Sequence, residues 1–91
     1  LNDPLVVELS GGWAERALEA VPESGAKGAA NRVAWLYLTG FGREPTAREG
    51  EAALAFINAK AGELKVTTED RKLWADLAHV LVNTKEFIFL R

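Results

Sequence analysis

Residues 32–46, RVAWLYLTGFGREPT, restrict the fold more than any other stretch of this 91-residue chain. Val33, Leu36, Tyr37, Gly40 and Phe41 recur at helical spacing, and Ala34, Trp35 and Leu38 fill the flanks, so most of the helix circumference is apolar. Such a helix needs neighbours on several sides, which calls for a bundle. Gly40 follows the last periodic residue and is expected as a left-handed C-cap, letting Phe41 fold back onto Leu36. Pro45 disfavours helical geometry at Glu44, and Thr46-Ala47-Arg48-Glu49 has capping-box spacing, so a new helix is expected from Thr46. The stretch reads as a helix, a tight corner and a second helix.

The rest of the chain supplies the partners. Asp3 is expected as N-cap and Pro4 as first residue of a helix reaching about Val21, with a stripe of Leu5 or Val6, Leu9, Trp13, Ala17, Leu18 and Val21. Gly11-Gly12 interrupts that helix, each glycine costing about 1 kcal/mol relative to alanine, and close packing of another backbone explains the pair better than a bend. Pro22–Gly28, PESGAKG, reads as a mobile linker, which puts the second helix at about Ala29–Thr39. The third is expected over Ala47–Ala61, ended by Gly62. The fourth is capped by Thr67 or Thr68, turns Leu73, Trp74, Leu77, Val80 and Leu81 inward and stops near Val82. Asn83-Thr84-Lys85-Glu86 repeats the capping logic, predicting a short last helix over about Thr84–Leu90 with Phe87 and Leu90 buried. The expected architecture is all-α: one domain over residues 1–91, a compact bundle of four helices plus a short C-terminal helix, with a flexible linker at about 22–28.

Composition narrows the function classes. Apolar residues at 48% and charged residues at 26% suit a soluble globular domain. Eleven Lys and Arg are interspersed with thirteen acids, for a net charge of -2, so there is no basic stripe for a nucleic acid. Lack of cysteine excludes disulfides, thiolate metal sites and covalent c-type haem attachment within these residues. The longest apolar runs fall far short of the ~20 residues a membrane-spanning helix needs. The start at Leu1 and the lack of methionine suggest a part of a longer protein, with any targeting signal outside it.

No reaction centre assembles from these residue types. Asp76, His79 and Asn83 share one helical stripe, but a cluster on a single helix lacks convergent partners, and a local polar pair is the preferred reading. One histidine and scattered carboxylates make no metal-ligand set. Trp13, Trp35, Tyr37 and Trp74 could build an aromatic platform for a sugar, although their spacing favours core packing. Arg43 is different, because it sits in a tight corner. Its guanidinium is expected to tie that corner to a carboxylate, Glu86 or Glu49.

LNDPLVVE, RVAWLYLTGFGREPTAREGEAALAFI and WADLAHVLVNTKEFIFL, in that order, resemble the C-terminal part of a planctomycete-specific domain of unknown function found in planctomycete cytochrome c-containing proteins. The signature residues of the resemblance are Leu36, Tyr37, Gly42, Arg43, Pro45, Thr46, Asn83, Glu86 and Phe87. The same pattern is more broadly similar to repeat-type extracellular bacterial domains and phycobilisome linkers, which suits a structural motif. Gly50, Gly11-Gly12 and Phe41 depart from the family pattern. The resemblance implies an exported protein of the cell envelope with haem elsewhere in the full chain and no cofactor in this segment. The resulting expectation is a non-catalytic structural or interaction module, packing against other domains of its parent protein or a protein partner. The alternative is a carbohydrate-binding or polysaccharide-degradation-associated module working through exposed aromatics.

Overall fold

The chain folds locally much as its caps dictate. In the computed structural model, which describes residues 3–84, the helices are α1 (Pro4–Ala20), α2 (Gly25–Phe41), α3 (Ala47–Leu64) and α4 (Arg71–Val82). Asp3 caps α1 by accepting the Leu5 N–H at 2.7 Å, with Pro4 at the first position. Thr46 caps α3 in a full capping box, its hydroxyl accepting from the Glu49 N–H while the Glu49 carboxylate accepts from the Thr46 N–H. Among the described residues there is no strand. The short C-terminal helix expected over Thr84–Leu90 lies outside the described residues, apart from Thr84.

The bundle runs up and down. Arg71, the first residue of α4, pairs with Glu15 in the second half of α1, and Glu69 accepts a hydrogen bond from the Gly25 N–H at the start of α2. So α4 begins where α1 hands over to α2. From there it packs more extensively on α1 than on any other helix. The core takes Trp13, Ala14 and Ala17 from α1, five residues between Ala29 and Phe41 of α2, Ala53, Ile57 and Ala61 from α3, and Leu73, Trp74, Leu77, Ala78 and Leu81 from α4. Each large apolar side chain buried this way contributes about 1.5–3 kcal/mol.

Several expected features move, each because tertiary packing decides. The exposed side of α1 carries Leu5 and Leu9, and the buried side is Ser10, Gly11, Trp13, Ala14 and Ala17. Small residues win that face because α1 lies close against α4: the Arg71 guanidinium stands 3.1 Å from where a Gly11 Cβ would be. The helix is continuous through Gly11-Gly12; what comes close at Gly11 is the Arg71 side chain and not another backbone, while a Cβ at Gly12 would make only an ordinary contact with Arg16 of the same helix. On α4, Ala78 is buried and Val80 is exposed, for the same reason of close approach.

Helix ends shift as well. The left-handed cap of α2 is Gly42 (φ 73), whose N–H donates to the Leu38 carbonyl, while Gly40 is buried inside the helix. Two more helical residues let the Phe41 ring meet Tyr37 one turn back, with centroids 5.0 Å apart. The expected linker over 22–28 shortens to Val21–Ser24, because α2 already starts at Gly25. Asp70, not Thr67 or Thr68, caps α4 by accepting the Lys72 N–H, and the Thr68 carbonyl takes the Trp74 indole N–H.

α3 does not stop at Gly62. It continues to Leu64 and ends on Lys65 in left-handed geometry (φ 58), with the Val66 N–H bonded to the Ala61 carbonyl as in a Schellman ending. Gly62 is therefore an interior helix residue, and open space surrounds the position of a Cβ there. Gly62→Ala is expected to stabilise the fold by about 1 kcal/mol, raising the thermal midpoint by about 4–8 °C. An unchanged or lower midpoint would contradict the interior placement.

Candidate functional site

Six of the nine signature residues belong to the end of α2 and the α2–α3 corner. Leu36 and Tyr37 are buried in the core, Gly42 supplies the left-handed turn, Pro45 precedes the cap, and Thr46 starts α3. Arg43 closes the corner: its two terminal nitrogens donate to both Glu49 carboxylate oxygens at 2.9 and 3.0 Å, and one also donates to the Glu44 carbonyl. The guanidinium lies 5.5 Å from the Tyr37 ring centroid and 5.9 Å from that of Phe41. Glu49 is thus the carboxylate partner, and it is also the capping-box residue of α3. Asn83 stands apart from this corner in sequence as the C-cap of α4, its N–H donating to the His79 and Val80 carbonyls. Glu86 and Phe87 lie outside the described residues.

The corner is tuned electrostatically. The Arg43 hydrogen bonds, then the bond from the Thr46 N–H, hold the Glu49 carboxyl down at about 2 from its ordinary 4.5. A depressed carboxylate pKa stabilises the folded state above the unfolded value, and that contribution is lost as the pH falls from about 4.5 toward 2. Both side chains are about one-third exposed, so the pair contributes at most about 1 kcal/mol. Arg43→Ala is expected to lower the thermal midpoint at pH 7 and to flatten the acid limb between pH 4.5 and 2, as read by thermal melts across that range. Parallel acid limbs in the two proteins would remove the tether.

The other candidate chemistry disperses. Asp76 is engaged by Lys60 of α3 at 3.7 Å and by Lys72 of its own helix at 4.0 Å, and His79 is half-buried with its carbonyl in the α4 cap. Of the four candidate platform aromatics, Trp13, Tyr37 and Trp74 are core residues. The Trp13 indole donates to the Thr39 hydroxyl at 2.8 Å, and the Trp74 indole to the Thr68 carbonyl at 2.8 Å. Trp35 alone of the four is half-buried at the core edge. An open depression of about 160 Å³ near the α2 start is lined by Gly25, Ala26, Ala29, Leu54, Asn58 and Thr68, with no titratable group among them. Among the described residues no group of His, Cys, Asp and Glu is placed to hold a metal ion, and no helix is long and apolar enough to cross a membrane.

The most unusual side chain is one the sequence reading passed over. Arg32 is completely buried. Its Nε and one terminal nitrogen donate to the Val21 carbonyl at 3.1 and 2.6 Å, and the latter nitrogen also donates to the Glu23 carbonyl at 2.7 Å. The guanidinium stacks 4.8 Å from the Trp74 ring centroid, and its other terminal nitrogen is buried with no hydrogen-bond partner. Burial pushes its pKa down while Glu69 and Glu23 push it back up. Arg32 therefore joins the α1–α2 connection to α4. A sequence signal exists: Arg32 sits on the stripe of Ala29 and Leu36, where a solvated arginine does not belong.

Comparison with known protein families, with curated proteins and with solved structures found no match to this chain.

Proposed function

We propose that this chain is a non-catalytic helical module that docks on a neighbouring protein surface. The observation that supports the reading is where its exposed large apolar side chains lie. Leu5 and Leu9 on α1 are 60% and 59% exposed, and Leu38 near the end of α2 is 47% exposed. Leu9 precedes Trp13 by one turn, Leu38 precedes Thr39, and the Trp13–Thr39 hydrogen bond joins those turns across the α1–α2 seam. Exposed apolar side chains such as Leu9 and Leu38, each next to or one turn from a residue of that hydrogen bond, suit association more than solvation. The occupant proposed is another domain of the parent polypeptide or a separate protein. An exported, cell-envelope setting, with haem elsewhere in the same polypeptide, is the part of this proposal that the family resemblance alone supports.

The chain has no cysteine, so single cysteines report on access without background. Leu9→Cys and Leu38→Cys are expected to react rapidly with a thiol reagent in the purified chain, and about tenfold more slowly in the polypeptide that carries it. Equal rates in both settings would count against docking at this seam. The carbohydrate reading predicts a saturable change of tryptophan fluorescence on titration with polysaccharides. With three of the four aromatics in the core, no such change is expected.

A further inference from the structure

α1 turns one face away from the other described helices, and that face is centred on Gly12. Ser10, Ala14 and Ala17 are buried on the opposite side. At about 100° per residue, Leu5, Leu9 and Arg16 fall within about 60° to one side of Gly12, and Glu8, Glu15 and Glu19 within about 60° to the other. All six are exposed. Arg16 folds back along this face, its guanidinium 3.5 Å from where a Gly12 Cβ would be. Glu15 is held by Arg71 at 2.7 Å, while Glu8 and Arg16 have no ion pair among the described residues. These two unpaired charges of opposite sign stand four residues either side of Gly12.

We propose that this face binds a second copy of the chain, with the two α1 helices antiparallel about a two-fold axis at Gly12. Charge fixes both the occupant and the register. The axis sets Glu8 of each protomer level with Arg16 of its partner, so one pairing occurs twice. The Arg16 stem then lies on the partner's Leu9 while its guanidinium reaches the neighbouring Glu8 carboxylate. Glu8 also comes near the partner's Glu15, a charge that Arg71 already balances. A parallel pairing in register would instead set Glu8 against Glu8 and Arg16 against Arg16. Gly12 has no side chain to hold the helices apart, so their axes can approach to about 8 Å. One helix pair is a small interface, below about 1,200 Å² in total, and the dimer is weak, with Kd on the order of 100 μM. This surface lies beyond the Leu9–Leu38 seam, sharing Leu9 with it, and takes a second copy where the seam takes another protein surface.

Sedimentation equilibrium of the complete 91-residue chain tests this. The weight-average mass should climb from monomer at about 10 μM toward dimer at about 1 mM. Glu8→Arg and Arg16→Glu should each hold the chain monomeric over that range, and mixing the two variants should restore the dimer, because each carries the charges the other lacks. A chain that stays monomeric throughout, single variants that dimerise as before, or a mixture that does not associate would overturn the proposal. The register has its own readout. Gly12→Cys lies on the axis and should form a disulfide-linked dimer about tenfold faster than Leu5→Cys, although Leu5 is 60% exposed, because the two Leu5 positions would stand about 21 Å apart along the helices. Equal cross-linking rates would also overturn it. If self-association is absent while Leu38→Cys is still shielded in the polypeptide that carries the chain, the dimer is overturned and docking at the seam stands.

Discussion

Arg32→Ala is expected to cost about 3 kcal/mol of folding stability, more than the removal of any surface charge. The loss combines three terms: charge-assisted hydrogen bonds to the Val21 and Glu23 carbonyls, stacking on Trp74, and a cavity where a large side chain was. Water can reach the freed carbonyls in part, because Val21 is half-buried and Glu23 exposed, which keeps the figure below the about 5 kcal/mol upper range for a broken buried polar contact. A domain of this size has roughly 5–14 kcal/mol in total, so the variant should fold with a much lower denaturant midpoint. Arg32→Lys keeps the charge but loses the fork that bonds two carbonyls at once, and should recover little. Arg32→Met keeps the stem without burying an unpartnered N–H, and should recover more. If Arg32→Ala shifted stability by less than about 1 kcal/mol in urea unfolding, the guanidinium would be only filling space.

Gly28→Ala should destabilise, against its helix propensity. Gly28 lies in the first turn of α2, and an added Cβ there would overlap the Glu23 carbonyl oxygen and stand 2.6 Å from its carbonyl carbon. Alanine favours a helix by about 1 kcal/mol over glycine. Overlap with backbone cannot be relieved by a rotamer change, so the Val21–Ser24 connection has to move, at a cost of roughly 1–3 kcal/mol or more. That connection is also what Arg32 holds. The net expectation is a thermal midpoint lowered by about 5–15 °C, with Gly62→Ala as the opposite-signed control. Combined with Arg32→Ala the effects should fall short of additive, since both act through the same four residues. A stabilised Gly28→Ala protein would show that the connection yields easily.

Both effects meet at a connection that composition alone reads as a loose linker. Proline, serine and glycine in PESGAKG do mark a turn, but Gly25 and Gly28 are there for different reasons. Gly25 supplies a positive φ at the helix start, and Gly28 makes room for the backbone of Glu23. Local chemistry was a sound guide where the deciding partner lies within a few residues. Asp3 with Leu5, Thr46 with Glu49, and Arg43 with Glu49 all fall in that class. It failed at Gly40 and Gly62, where the helices run on, and at the start of α4, where Asp70 and not a threonine is the cap. The Arg43 corner was legible as a structural clamp, with Glu49 as one of two named partners. The burial of Arg32 has a signal in its place on the Ala29–Leu36 stripe, but its role does not, because its acceptors are backbone carbonyls, which leave no mark in a sequence.

By itself the sequence determined that the described chain is all-helical, that an apolar α2 needs neighbours around it, and that a tight corner leads into a capped helix at Thr46. Periodicity, proline geometry and capping carry that information within a turn or two of helix. Only the tertiary structure decided which side of α1 faces inward, with Leu5 and Leu9 outside and Ser10, Gly11 and Ala14 inside. It also decided that a buried arginine holds the α1–α2 connection against Trp74. Burial depends on what lies across the contact, and for α1 that is α4, whose first residue follows Glu15 by fifty-six positions and stands beside it in space.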